Sequence, residues 1–270
     1  MPELPEVETT RRGIEPHLLK QRISRVEVRD GRLRWPVPDD FATRLQGAQV
    51  KKLTRRGKYI LVHTSQGVFM VHLGMSGSLR VITDNAALKK HDHVIFTLSS
   101  GHSIRFHDPR RFGCILWANE LDAHPLLAVL GPEPLAEEFD ADYLINQAKG
   151  RKTAVKSFLM DAHVVVGVGN IYANEALFMA GIHPKRQAGR VSAARYEKLV
   201  SAVKQVLGEA IAVGGTTLRD FVNGNGEPGY FQQQLRVYDR AGEPCKVCGS
   251  PIKSIRLGQR STFFCKLCQT

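Results

Sequence analysis

Val94-Ile95-Phe96-Thr97-Leu98, then Ser99-Ser100-Gly101, then Ser103-Ile104-Arg105-Phe106: this stretch decides how the first half of the chain folds. Each run is short and rich in β-branched and aromatic side chains, which fit a pleated surface, and the residues between them signal a turn. Working outward, Tyr59-Ile60-Leu61-Val62 and Val68-Phe69-Met70-Val71-His72-Leu73 repeat the pattern around Ser65-Gln66-Gly67. Many short strands at this spacing, from Ile23 to about Trp117, predict a β-sandwich or barrel. Ahead of them, residues from about 3 to 20 read as a helix. Glu3, Glu6 and Glu8 lie in its first turns, where the helix macrodipole favours negative charge.

Further along, Leu130-Gly131-Pro132-Glu133-Pro134 interrupts the strand pattern as a linker start. A helical period then takes over. Tyr196, Leu199, Val200, Val203, Leu207 and Ile211 share one face, with Ser192 available as a cap, and this stripe reads as core packing. Gly214-Gly215-Thr216 ends that helix. Residues 219–230, with Asn223-Gly224-Asn225-Gly226 and Pro228-Gly229, read as a mobile loop.

A chain of 270 residues suggests two domains. Hydrophobic residues at 43% and charged residues at 24% exclude wholesale disorder. No apolar run is long enough for a membrane helix. The start, Met1-Pro2-Glu3-Leu4-Pro5-Glu6, is acidic and unlike a secretory signal, so the chain is expected to stay in the cytoplasm. Lys and Arg number 38 against 26 Asp and Glu, a net +12 that favours a polyanionic partner, most often nucleic acid.

Four of the five cysteines fall at Cys245, Cys248, Cys265 and Cys268, a C-x2-C…C-x2-C pattern. Four thiolates at this spacing suit one tetrahedral zinc ion, each pair on a tight knuckle. Two disulfides fit poorly with an intracellular chain. With no ligand position left open, the metal is expected to be structural. Between the pairs, Ile252 to Phe264 reads as a β-hairpin carrying Lys253, Arg256 and Arg260. Residues 236–270 hold seven Lys and Arg against two acids, so the ribbon stays basic even after the net −2 of a zinc–tetrathiolate centre. Cys114, beside Gly113, Ile115 and Leu116, reads as a small buried apolar residue.

Removal of Met1 would leave Pro2 as the first residue. Its secondary amine, with a reference pKa of roughly 8, keeps a useful neutral fraction near pH 7. Attack by such an amine on a sugar C1′ gives an iminium without an N–H proton to lose, an electron sink suited to eliminating neighbouring phosphates. Glu3 is placed to act as general acid or base at the same sugar, and Glu6, one turn on, to position water or the sugar. Pro and acids are also ordinary stabilising choices at a helix start.

Pro2-Glu3-Leu4-Pro5-Glu6-Val7-Glu8, Leu73-Gly74-Met75-Ser76-Gly77, His107-Asp108-Pro109-Arg110-Arg111-Phe112-Gly113, Gly167-Val168-Gly169-Asn170-Ile171-Tyr172 and the terminal four-cysteine ribbon together resemble the bacterial formamidopyrimidine-DNA glycosylases. The likeness runs the length of the chain. It implies an α+β fold: an N-terminal β-sandwich with a leading helix, then a helical helix-two-turn-helix domain ending in a four-cysteine zinc ribbon. The expected boundaries are 1–133 for the catalytic sandwich, 134–150 for the linker, 151–235 for the helix-two-turn-helix domain (its motif roughly 153–184) and 236–270 for the ribbon.

The resemblance also implies an activity. Such an enzyme flips out and removes oxidised purines, 8-oxoguanine opposite C and formamidopyrimidines, and then nicks the strand by β- and δ-elimination. Pro2 resembles the Schiff-base nucleophile and Glu3 the proton donor. Lys58 resembles the acid/base of β-elimination, and Arg260 its counterpart in δ-elimination. His72, Asn170 and Arg260 correspond to a phosphate clamp, with Asn170 expected in the turn of the motif. His91, Arg110 and Arg151 match further DNA contacts. Met75, Arg110 and Phe112 match an inserted triad that fills the vacated space and holds the orphaned cytosine. The 219–230 loop would close over the damaged base. The implied partner is double-stranded DNA carrying an oxidised purine or an abasic site. The implied protein is a monomer with one structural Zn2+, nucleoid-associated and without a membrane. The rival readings are an endonuclease VIII-like enzyme acting on oxidised pyrimidines and a non-catalytic zinc-ribbon DNA-binding protein.

Overall fold

The strands expected between Ile23 and Trp117 form two four-stranded antiparallel sheets. The computed structural model describes residues 2–82, 86–118, 120–215 and 234–270. They divide into two compact units, Met1–Ala128 with Val213–Gln232, and Val129–Ala212 with Gln233–Thr270.

In the first unit, α1 (Leu4–Leu18) precedes β1 (Ile23–Val28), α2 (Phe41–Leu45), β2 (Val50–Arg56), β3 (Tyr59–Thr64), β4 (Gly67–His72), β5 (Ser78–Ile82), β6 (Asp92–Leu98), β7 (Ser103–His107), β8 (Cys114–Trp117) and the short α3 (Pro125–Ala128). One sheet has the order β1-β6-β7-β5, the other β2-β3-β4-β8. Their facing side chains make one core: Val26, Val94, Phe96, Ile104 and Phe106 from the first sheet, Leu53, Ile60, Val62, Phe69 and Ile115 from the second. Val7, Ile14 and Leu18 of α1 and Phe41 of α2 join it.

β1 and β2 bury residues three apart, Ile23 with Val26 and Val50 with Leu53. Strict alternation would put such a pair on opposite faces. Each strand has a register irregularity, between Ile23 and Arg25 and between Val50 and Lys52. The extra residue of a bulge restores both side chains to the core face.

The second unit contains α4 (Ala141–Ala148), α5 (Val155–Leu159), α6 (Asn170–Met179), α7 (Ala193–Ala212), and the hairpin of β9 (Lys253–Leu257) and β10 (Arg260–Phe264). On α7, Tyr196, Leu199, Val200, Val203 and Leu207 are buried, as the stripe predicts, while Ile211 at the end is half-buried. The Ser192 carbonyl accepts the N–H groups of Arg195 and Tyr196, both at 3.0 Å. α6 buries Ile171 through Phe178 without a break, two polar residues included. Burial of a polar group is tolerated when its hydrogen bonds are made. Asn174 Oδ1 accepts the Phe263 N–H at 2.8 Å. The Glu175 carboxylate accepts the backbone N–H groups of Arg236, Val237 and Tyr238 at 2.8–2.9 Å. The helix is thereby docked to the ribbon, where Phe178 packs with Val237, Ile252 and Phe263.

Candidate functional site

The start of α1 is closed against solvent. Pro2 is buried, Glu3 is 2% exposed, and Glu6 is fully buried. Glu3 is the N-cap in an extended conformation, and Glu6 at N3 reaches back to accept its backbone N–H at 2.9 Å. This capping-box bond gives Glu6 a local structural task alongside the expected one of positioning water or the sugar. Gly215 approaches closely: a Cβ there would lie 3.1 Å from Glu6 Oε1.

Lys58 sits in the two-residue turn joining the paired Arg56 and Tyr59, preceded by Gly57 at φ +55°. Arg55 links this turn to α1: its Nη1 donates to the Gly57 carbonyl at 2.9 Å and its Nε to Glu8 Oε2 at 3.2 Å. Burial alone would raise the Glu8 pKa, but bonds from Arg11 and Arg12 and the charges of Arg11 and Arg55 outweigh it, so the carboxylate is held below its ordinary value.

Across β3 and β4, Tyr59 pairs with His72, their ring centroids 4.9 Å apart. Burial, with the nearby charges of Lys58 and Arg34, pushes the His72 pKa down to about 4. Its Nδ1 accepts the Gly74 N–H at 3.0 Å. A neutral ring that accepts at Nδ1 carries its proton on Nε2, so His72 presents a donor without charge.

Met75 is half-buried in the turn after β4. Arg110 and Phe112 are exposed in the loop between β7 and β8, where Phe112 keeps 44% of its surface and the Arg110 guanidinium lies 4.9 Å over its ring. An exposed phenylalanine stacked with arginine suits a site that takes a partner. His91 is half-buried. Its carbonyl accepts the Asp108 N–H at 3.0 Å, and its buried Nδ1 has no hydrogen-bond partner among the described residues.

In the second unit, Asn170 is the first residue of α6, directly after the N-cap Gly169, rather than in the preceding turn as expected. Its Oδ1 accepts Lys156 Nζ at 2.6 Å, and its Nδ2 donates to the Ser261 carbonyl at 3.1 Å. Lys156, 1% exposed, also donates to the Ser261 carbonyl at 3.1 Å and to Thr262 Oγ1 at 2.7 Å. Asn170 is therefore tied to the strand that begins with the exposed Arg260. Arg260 follows a two-residue turn with Gly258 at φ +54° and Gln259 at φ +61°. Arg151 is exposed, donates to the Gln147 carbonyl at 2.9 Å and lies 5.6 Å over the Phe158 ring. The sequence did not single out Lys156 or Arg55 and read Glu8 only as a helix-start acid, because the bonds that tie Lys156 to Thr262 and Arg55 to Glu8 join residues distant in the chain. The 219–230 loop lies outside the described residues.

Cys245, Cys248, Cys265 and Cys268 converge, with all four Sγ atoms within 4.8 Å of one another. Cys245 and Cys268 stand 3.9 Å apart, Cys248 and Cys265 3.4 Å. Four sulfurs about 2.3 Å from a central zinc in a tetrahedron would lie roughly 3.8 Å apart, so the donor set fits one structural ion. The knuckle backbone supports it: the Val247 N–H donates to Cys245 Sγ at 3.4 Å. No helix among the described residues is long and apolar enough to cross a membrane.

An α+β chain with a helical unit docked on a four-cysteine ribbon has the build of a zinc-ribbon DNA glycosylase. Three family models match it in order: the formamidopyrimidine-DNA glycosylase N-terminal domain over residues 1–115, the H2TH domain of that enzyme over 130–222, and a zinc finger found in FPG and IleRS over 242–270. The chain belongs to the formamidopyrimidine-DNA glycosylase family, whose members act in DNA repair. It is 60% identical over 269 residues to the formamidopyrimidine-DNA glycosylase of Stutzerimonas stutzeri (strain A1501), with 100% of both chains covered. It is 59% identical over 270 residues to that of Methylococcus capsulatus (strain ATCC 33009 / NCIMB 11132 / Bath), again covering 100% of both. Among solved structures, the MutM (Fpg) protein of Thermus thermophilus superposes with a TM-score of 0.89 at 38% identity, covering 99% of this chain and 98% of that one. The Lactococcus lactis Fpg bound to DNA containing an abasic site superposes at 0.91 with 30% identity, covering 99% of each.

Proposed function

We propose that the protein is a bifunctional glycosylase and abasic-site lyase. In this reading it removes oxidised purines, 8-oxoguanine opposite C and formamidopyrimidines, from duplex DNA and nicks the strand. The observation that carries it is the chain start: Pro2, then Glu3, buried at the positive end of α1. Once Met1 is removed, the helix dipole disfavours protonation of the Pro2 amine and so enlarges its nucleophilic fraction. Cys114, the cysteine outside the ribbon, offers no competing thiolate, because burial pushes its pKa up to about 11.

The Pro2 nitrogen attacks C1′ and the bond from C1′ to the damaged base breaks, its electron pair leaving with the base, which takes up the proton that the Pro2 nitrogen gives up. Glu3 delivers a proton to the sugar ring oxygen as the ring opens and the iminium forms. Loss of a C2′ proton then expels the 3′ phosphate, with Lys58 as acid/base and source of positive charge. A second elimination expels the 5′ phosphate, assisted by Arg260. Water finally releases Pro2 and the sugar remnant.

His72, Asn170 and Arg260 hold the phosphates around the flipped nucleotide, while His91, Arg110 and Arg151 extend the DNA contact. Phe112 wedges a base step, Met75 fills the vacated space and Arg110 bonds the orphaned cytosine. The Lactococcus lactis Fpg structures with abasic-site and Fapy-dG DNA support the abasic-site and formamidopyrimidine substrates. Zinc, when bound by the four cysteines, supplies structural support to the hairpin under Arg260 and takes no part in the reaction.

Borohydride trapping on an abasic duplex tests the reading. The expected result is a covalent adduct, mapped to Pro2, that vanishes when Met1 is retained. An adduct mapped to another residue overturns it. Faster release of thymine glycol than of 8-oxoguanine would favour the endonuclease VIII-like reading.

A further inference from the structure

Two loops separated by more than thirty residues carry the side chains assigned above to the helix interior: Met75 on one, Arg110 and Phe112 on the other. Rigid insertion requires that they move as one body, and the chain between them does not ensure this. Between them lies Asp108, whose surface is fully buried. Its Oδ1 accepts the Ser76 hydroxyl at 2.9 Å and the Arg110 N–H at 3.3 Å, and its Oδ2 accepts the Gly113 N–H at 2.8 Å. Its carbonyl accepts the Arg111 N–H at 3.2 Å and lies 2.8 Å from His93 Nε2. One carboxylate thus grips the residue after Met75 and the residues on both sides of the Arg111–Phe112 pair.

The backbones are equally close. A Cβ on Gly74 would collide with Gly113 N, and one on Gly113 would meet the His72 carbonyl at 2.5 Å. Arg111 adopts φ +56°, a left-handed conformation unfavourable for a side chain of its size, and is tied by its guanidinium to Asp30 at 2.5 Å. Such a loop keeps its shape only when its surroundings impose it.

We infer that Asp108 is a positioning residue that fastens these two loops into a single wedge, an inference that rests on the function proposed above. An ionised carboxylate is suited to this task because it only accepts, and three donors face it. Asparagine would keep one oxygen and turn an amide donor towards the other donors, so Asp108→Asn loosens one loop; Asp108→Ala releases both, and Ser76→Ala frees only the Met75 side.

The test compares these variants with the unaltered enzyme in two assays. In the first, 8-oxoguanine excision from a duplex is followed in single turnover at saturating enzyme, beside borohydride trapping on a single-stranded abasic oligonucleotide, which has no stack to open. Asp108→Ala is expected to slow excision at least tenfold while changing trapping less than threefold. In the second, 2-aminopurine placed next to a tetrahydrofuran abasic analogue reports unstacking. Its rise at saturating enzyme is expected to be largely lost in Asp108→Ala and reduced in Asp108→Asn and Ser76→Ala. A destabilised but otherwise competent enzyme would retain the full rise. Excision and fluorescence equal to the unaltered enzyme in Asp108→Ala, or in the two milder variants should that one not fold, overturn the inference. Failure of the unaltered enzyme to trap abasic DNA would instead overturn the proposed function on which it rests.

Discussion

Replacing Lys156 with Met tests whether the helical unit and the ribbon are held together by one buried ammonium. The side chain is 1% exposed and donates to Asn170 Oδ1, the Ser261 carbonyl and Thr262 Oγ1. Methionine has similar length and no donor. The three acceptors would not suffer equally. The Ser261 carbonyl keeps the bond from Asn170 Nδ2, and Asn170 is half-buried, within reach of water. Thr262 is fully buried; its hydroxyl already donates to the Arg260 carbonyl at 3.3 Å, so the oxygen that accepted from Lys156 is left without a donor. Between one and two acceptors are stranded, at about 1–3 kcal/mol each, and the apolar side chain recovers part of that through its own burial. The expected loss is about 1–4 kcal/mol, read as a lowered urea midpoint with unchanged m-value and one zinc retained per chain. A loss below about 0.5 kcal/mol, the range of ordinary surface substitutions, would refute the reasoning.

Other consequences are as direct. Arg55→Ala removes the bond to the Gly57 carbonyl, and strand nicking is expected to slow on the order of tenfold, the equivalent of about one hydrogen bond, with less effect on DNA affinity; equal losses in both would reduce Arg55 to a DNA contact. Cys245→Ser is expected to lose zinc, which contributes about 10–16 kcal/mol in isolated fingers, and to expose the amides of β9 and β10 to hydrogen exchange while those of β6 and β7 stay protected. Unchanged ribbon protection in a zinc-free sample would contradict this. His72 has a folded pKa near 4, below the unfolded value near 6.5, so its contribution is intact above pH 6.5 and falls as pH drops towards 4, by at most about 3 kcal/mol. His72→Asn should flatten the stability profile across that window, and an unaltered acid slope would count against it.

What could be read from the sequence follows how far apart the cooperating residues lie. β3, β4, β6 and β7 stood out because their apolar runs are nearly continuous. β1 and β2 did not, because their bulges space the core residues by three and break the period of two. The cysteine ribbon was legible because ligand spacing within each knuckle is local, and the Pro2-Glu3 start because chemistry and position coincide. The supports were not legible. Glu8 meets Arg55 across 47 residues, Asp108 meets Ser76 across 32, and Lys156 meets Thr262 across 106. Before folding, each is one more charged residue in a basic chain. The resemblance puts Asn170 in the turn of the motif, whereas in the structure Gly169 serves as the N-cap and Asn170 opens the helix.

The ring of His72 accepts at Nδ1 from Gly74 and so offers its remaining nitrogen as an uncharged donor. Within the proposed clamp this separates two kinds of phosphate contact. Arg260 displaces a condensed cation from the duplex when it binds, and its removal should reduce the steepness with which affinity falls as salt is added. His72 displaces none. Its bond to a phosphate oxygen would weaken binding by a constant factor when lost, at low and high ionic strength alike, and a salt titration would not count it.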